Sequence, residues 1–372
     1  MQFIDLKKQQ AIIRKNLDLM LKNVLDDGQY IMGKQVEELE ADLSKFSGAT
    51  HSIGCSNGTD AIMLALMALD IKPGDGVLTI PFTYIATLEA ISILGAKPVL
   101  VDVYDSTFNM NPDIIEEKIL NSENKIKAIM PVDLFGLPAR YRLINELATK
   151  YNLKVIGDAA QSFGASIGSN KVGTLADITT TSFFPAKPLG CYGDGGAIFT
   201  ENDKIAEKLK SLRIHGKGKD KYDNVAVGMN SRLDTLQAGV LIEKLKIFSN
   251  EISKRNEIAE QYRLLLKDMP IKFQTIPQNY KSVYAQFSIL FESKDVRNSV
   301  QNHLLNHNIP SVIYYPIPAH LQTGYRYLNY NKGSFPVSEN LSDRILSLPM
   351  HPYLSNEDIS EIVDVIKNYF GA

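Results

Sequence analysis

The stretch Val155-Ile156-Gly157-Asp158-Ala159-Ala160-Gln161-Ser162-Phe163-Gly164-Ala165 reads as a short buried strand that delivers an aspartate at its C-terminal end. Open α/β sheets gather their ligands at the carboxyl ends of strands, so Asp158 is positioned to meet one. Further on lies Thr181-Ser182-Phe183-Phe184-Pro185-Ala186-Lys187-Pro188-Leu189-Gly190, followed by Gly193-Asp194-Gly195-Gly196. Lys187 stands among small, apolar and glycine residues. That setting disfavours an ammonium ion and lets backbone approach a bound group, as a Schiff-base lysine requires. Alone, such a lysine is more often an exposed loop residue, and Asp158 alone could be a strand-end cap. Together they suit a heteroaromatic cofactor: the lysine anchors it, and the carboxylate keeps a ring nitrogen protonated and electron-withdrawing.

The pattern around these stretches alternates. Short strand-like runs at 52–55, 76–80, 99–102, 128–132, 154–157, 179–184 and 196–200 are separated by helical periodicity at 60–69, 84–94, 112–120 and 140–151. That order predicts an α/β domain with a mainly parallel central sheet. Two helices precede it, at 7–25 and 35–46, joined by the loop from Gly28 to Gly33. A long helical pattern over 232–267 leads out of the domain, and 270–278 breaks it. Strand-like 284–291, helical 296–306, strand-like 311–314 and helical 356–369 then predict a smaller α+β unit. We divide the chain into a large domain, 1–245, and a small C-terminal domain, 246–372.

The 372 residues, 44% of them hydrophobic, suffice for two cores. A formal charge of −2 from 40 basic and 42 acidic side chains offers no bulk attraction to nucleic acid or anionic lipid. Cys55 and Cys191 are too few for a disulfide framework and lack the spacing of a metal site, so no metal is expected. Nothing resembles a signal peptide or a span of about 18 apolar residues, and a cytoplasmic location is expected.

Two further stretches join a strand to a helix. In Ser56-Asn57-Gly58-Thr59-Asp60-Ala61 the free amides of a helix start, with the Thr59 hydroxyl, could hold a phosphate, although the same residues also make a good turn and N-cap. In Pro81-Phe82-Thr83-Tyr84-Ile85-Ala86-Thr87, Tyr84 could stack on a flat cofactor or simply pack.

Taken in order, these motifs resemble the DegT/DnrJ family of sugar aminotransferases, from Phe3-Ile4-Asp5-Leu6 to Leu348-Pro349-Met350-His351-Pro352. The resemblance implies the aspartate aminotransferase fold (fold type I), a homodimer and pyridoxal 5'-phosphate bound covalently by Lys187. It further implies that Asp158 pairs with the ring nitrogen, Gln161 meets the ring hydroxyl and Tyr84 stacks on the ring. Gly58, Thr59, Asp60 and Ser182 would bind the phosphate, and Asn230 would reach the phosphate of the neighbouring subunit. Two departures stand out: Gly157 where many relatives have glutamate, and Asp133 where histidine or serine is found nearby. Dehydratase relatives carry histidine at the position of Lys187, which disfavours that branch.

The wording from Phe183 to Asp194, with Ser282-Val283-Tyr284-Ala285-Gln286 and Tyr315-Pro316-Ile317-Pro318, looks most like a subgroup that aminates C3 of UDP-2-acetamido-2-deoxy-3-keto-hexuronic acid in O-antigen sugar synthesis. L-glutamate is the expected donor, leaving 2-oxoglutarate. A hexuronate carboxylate needs a cation; Arg232 is the candidate, with a helix-start ion pair as its other reading. Gln29, Tyr30, Tyr315 and His320 are expected near the sugar, although His320 could equally lie in a surface loop. A dTDP- or UDP-linked 6-deoxy keto sugar, or a regulatory member without activity, are the alternatives.

Overall fold

The computed structural model describes residues 1–220 and 222–371. A seven-stranded sheet runs in the order His51–Cys55, Gly196–Thr200, Ile178–Ser182, Lys154–Asp158, Ile126–Ile129, Gly76–Thr79, Lys97–Leu100. From Ile178–Ser182 to the Lys97–Leu100 edge every pairing is parallel. Gly196–Thr200 pairs antiparallel with both of its neighbours. The strands are near-continuous apolar or β-branched runs because helices cover both faces. Val77 faces the cluster of helix Gly58–Ala68, while Leu78 faces that of helix Tyr141–Lys150.

The C-terminal part is α+β as expected. Lys272–Phe273, Phe287–Leu290 and Ile345–Leu348 form an antiparallel sheet, covered by helices Lys294–Asn306 and Asn356–Phe370. The boundary expected after residue 245 falls inside the unbroken helix Thr235–Leu265. Phe248 and Ile252 of this helix still pack in the large core, whereas Ile258, Ala259 and Tyr262 pack in the small one. The change of core therefore comes after Ile252.

One local expectation is corrected, and two helices add to the expected elements. The strand expected at 311–314 reduces to one bridge, Val312 to Ser347, because the chain there leaves the sheet and carries Tyr314 and Tyr315 to the cavity described below. Helix Asp203–Leu212 escaped the pattern, although Asn202 caps it through the Ile205 amide. Helix Pro336–Arg344 was also missed: its first turn is held by a residue far upstream, Asp102, which accepts from the amides of Val337 and Ser338 at 3.0 Å.

Candidate active site

A cavity of about 640 Å³ opens at the carboxyl ends of the parallel strands. Parallel register brings these ends together, so residues distant in sequence share one wall. Of the expected residues, Gly58, Thr59, Asp60, Tyr84, Asp158, Gln161, Ser182, Lys187 and Tyr315 line it.

Asp158 ends the strand Lys154–Asp158 and is buried. Its Oδ2 accepts from the Thr87 hydroxyl at 2.7 Å and its Oδ1 from the Ala160 amide at 3.2 Å. Burial pushes its carboxyl above the usual range, opposed by these two donors and by the charge of Lys187. Lys187 lies in the turn after Ile178–Ser182, with its amide bonded to the Phe184 carbonyl at 2.8 Å. Burial lowers its amine below an ordinary lysine, and Asp158 opposes the shift. An amine whose pKa is lowered is more easily deprotonated to a nucleophile, here beside a carboxyl group.

Helix Gly58–Ala68 starts at the cavity wall. Asn57 caps the helix by accepting from the Asp60 amide at 2.8 Å, which leaves the Gly58 and Thr59 amides without intrahelical acceptors. The Asp60 amide is thus engaged by Asn57, and its carboxylate accepts from Ser56 Oγ at 2.5 Å, so in this arrangement Asp60 braces the turn at the cavity wall. Ser182 closes the cradle. A Cβ on Gly58 would lie 2.7 Å from the Ser182 Cβ, so this position admits only glycine without a shift. Gly58→Ala is expected to weaken cofactor retention about tenfold, measured as the dissociation constant; unchanged affinity would show that the phosphate sits elsewhere.

The other wall is aromatic. Tyr84 is 59% exposed, with its ring 6.4 Å from that of Tyr315. Gln161 donates to the Tyr315 hydroxyl at 2.8 Å and accepts from the Phe135 amide at 2.7 Å. Burial raises the Tyr315 hydroxyl, so it stays protonated at neutral pH. Gln286 Oε1 is buried at the same wall without a partner, a group awaiting a donor.

Thr87 carries no signature of its own in the sequence, and its bond to Asp158 is visible only in the fold. His320 is corrected. Its ring is buried outside the cavity, 3.0 Å from Glu339 and edge-on to Phe335, and so supports the fold rather than facing the sugar or solvent. Gln29, Tyr30, Asn230 and Arg232 do not line the cavity of their own chain. They share a second region, where Ile31 bridges Asp234 and the Thr235 amide donates to the Tyr30 carbonyl at 2.9 Å. Gln29, Tyr30 and Asn230 are exposed there, and Arg232 Nε is buried without a partner.

A lysine amine lowered below its ordinary pKa, a carboxyl group suited to a ring nitrogen, an open helix start and a tyrosine wall fit pyridoxal phosphate, and on this sheet they define a fold type I transaminase. The chain belongs to the DegT/DnrJ/EryC1/StrS aminotransferase family, which matches residues 11–367. It is 45% identical over 367 residues to the UDP-2-acetamido-2-deoxy-3-oxo-D-glucuronate aminotransferase of Pseudomonas aeruginosa, covering 99% of each chain. A crystal structure of a family aminotransferase from Brucella abortus superposes with a TM-score of 0.96 at 46% identity, covering 100% of both chains. NtdA of Bacillus subtilis, solved with bound cofactor PMP, gives a TM-score of 0.90 at 30% identity, covering 100% of this chain and 83% of that one.

Proposed function

We propose that the protein transfers an amino group from L-glutamate to C3 of UDP-2-acetamido-2-deoxy-3-keto-hexuronic acid, in the cytoplasm, for an O-antigen or other surface polysaccharide. Lys187 opposite Asp158 in one cavity carries the chemical part of this reading. The substrate part is supported by the identity to the Pseudomonas aeruginosa enzyme.

Bound pyridoxal phosphate supplies an electron sink that lets a proton leave the amine-bearing carbon. Lys187 holds the cofactor and, once free as an amine, moves that proton. Asp158 stabilises positive charge at the ring nitrogen, Gly58, Thr59 and Ser182 hold the phosphate, Gln161 meets the ring hydroxyl, and Tyr84 covers the ring. Donor and sugar use the same cavity in turn, so the kinetics are ping-pong.

Charge supports a shared, homodimeric site. Lys187 is the only lysine or arginine lining the cavity among the described residues, against Asp60, Asp158 and Asp194. A phosphate, a nucleotide diphosphate and a uronate need further cations and donors. Gln29, Tyr30, Asn230 and Arg232, beside the exposed Ile31, Val225 and Val227, are the set that a partner subunit would bring. Arg232, with Nε unpartnered, suits the uronate carboxylate. Arg232→Ala is expected to raise KM for the 3-keto uronate about 10- to 100-fold while sparing uncharged keto sugars. Wild-type preference for a 6-deoxy keto sugar would overturn the substrate choice.

A further inference from the structure

Directly behind the cavity lies a carboxyl group that the reaction as described does not use. The strand Ile126–Ile129 continues to Val132, which bridges Asp158; the Asp133 amide donates to the Asp158 carbonyl at 3.0 Å, and the Asp158 amide to the Pro131 carbonyl at 2.9 Å. The Asp133 side chain is completely buried. It accepts from the Ala139 amide at 2.8 Å, from Ser162 Oγ at 2.7 Å and from the Tyr141 hydroxyl. Ser162 follows Gln161, and Gln161 accepts from the amide of Phe135, two residues beyond Asp133. One carboxyl therefore braces the segments that carry both Asp158 and Gln161.

Gly157 belongs to the same arrangement. A Cβ there would lie 2.5 Å from the Tyr141 hydroxyl oxygen, so the residue before Asp158 must lack a side chain for Tyr141 to reach Asp133. We propose that Asp133 is a positioning residue for transamination, acting on Asp158 and Gln161, with Tyr141 and Gly157 as parts of one unit. The inference rests on Asp158 facing the cofactor ring.

The physical effect has two parts. Asp133 fixes the orientation of the cavity-facing groups, and its charge adds to the negative field behind Asp158. Burial, with the charge of Asp158, pushes its carboxyl up to about 7, so that field grows as pH rises through neutrality. The groups facing it are Asp158 on the sheet, Tyr141 at the start of its helix, and Tyr280, which also feels Arg140.

Asp133→Asn keeps size and polarity but removes charge. A negative field favours the protonated bound cofactor, so its loss should lower the pH midpoint of the cofactor's visible absorption by about half a unit to one unit. The cofactor dissociation constant should rise about tenfold. Tyr141→Phe, which removes one donor and thereby favours neutral Asp133, should shift the midpoint in the same direction by less. Gly157→Ala should lower Tm, and adding Tyr141→Phe should restore it, because the hydroxyl removed is the atom that the new Cβ meets. Lower Tm in Asp133→Asn with unchanged midpoint and dissociation constant would leave a purely structural residue and overturn the inference, as would absence of the Gly157–Tyr141 rescue. Asp158→Asn serves as the reference. If it moves the midpoint and Asp133→Asn does not, the inference alone fails; if it does not move the midpoint, the reading of Asp158 itself fails.

Discussion

Lys187→Ala is expected to lower kcat/KM by about 10,000-fold and to leave protein that loses its cofactor on dialysis. Two roles disappear with one side chain: the anchor and the amine that moves the proton. The effect should be far larger than any loss of stability, since the side chain lies at the cavity wall rather than in a core cluster. Steady-state kinetics with absorption spectra before and after dialysis test this. Activity within about tenfold of wild type would remove Lys187 from the chemistry. Lys187→Arg should be as impaired, because guanidinium keeps the charge but, never being a neutral nucleophile, can neither anchor the cofactor nor move the proton.

Asp158→Asn is expected to lower kcat/KM about 100- to 1,000-fold with little change in fold. Asparagine can still accept from Thr87, but it no longer supplies an anion to the ring nitrogen. The same change should alter the lysine. Asp158 opposes the lowering of the Lys187 amine, so removing its charge lets that amine fall further below an ordinary lysine. Below its pKa the amine is an ammonium ion and cannot capture the cofactor. Capture by cofactor-free Asp158→Asn should therefore persist to lower pH than in wild type. A shift to higher pH, or none, would show that the two groups do not sense each other.

Lys187, Asp158 and the Gly58-Thr59 turn were legible in the sequence because each sits where a strand ends or a helix begins, and such junctions carry local signatures. The parallel sheet was legible for a related reason: continuous apolar runs alternate with helical periodicity. What escaped depends on contacts between distant segments. Thr87 reaches Asp158 across 71 positions, and Gln161 reaches Tyr315 across 154. His320 shows the reverse failure: placed near the sugar by resemblance, it is buried in the fold by Glu339 and Phe335. Gly157 read as a departure from the relatives; the nearby Tyr141 hydroxyl, invisible to any local pattern, accounts for it.

The helix Thr235–Leu265 also bears on how the polypeptide is assembled as it is made. A nascent chain ending at residue 245 lacks Phe248, Ile252 and Val283, all members of the large buried cluster around Phe163, Phe183 and Phe199. Phe248 stacks on Phe163, 6.0 Å between ring centroids. The active-site half of the molecule cannot close its core until the first strands of the other half have been synthesised. The N-terminal segment waits longer: Lys8 bonds the Tyr353 carbonyl, and the Met350 amide bonds the Phe3 carbonyl. Severing the gene after residue 245 is therefore expected to leave the N-terminal fragment without part of its core, while the cluster from Ile258 to Ile366 stays together in the other fragment.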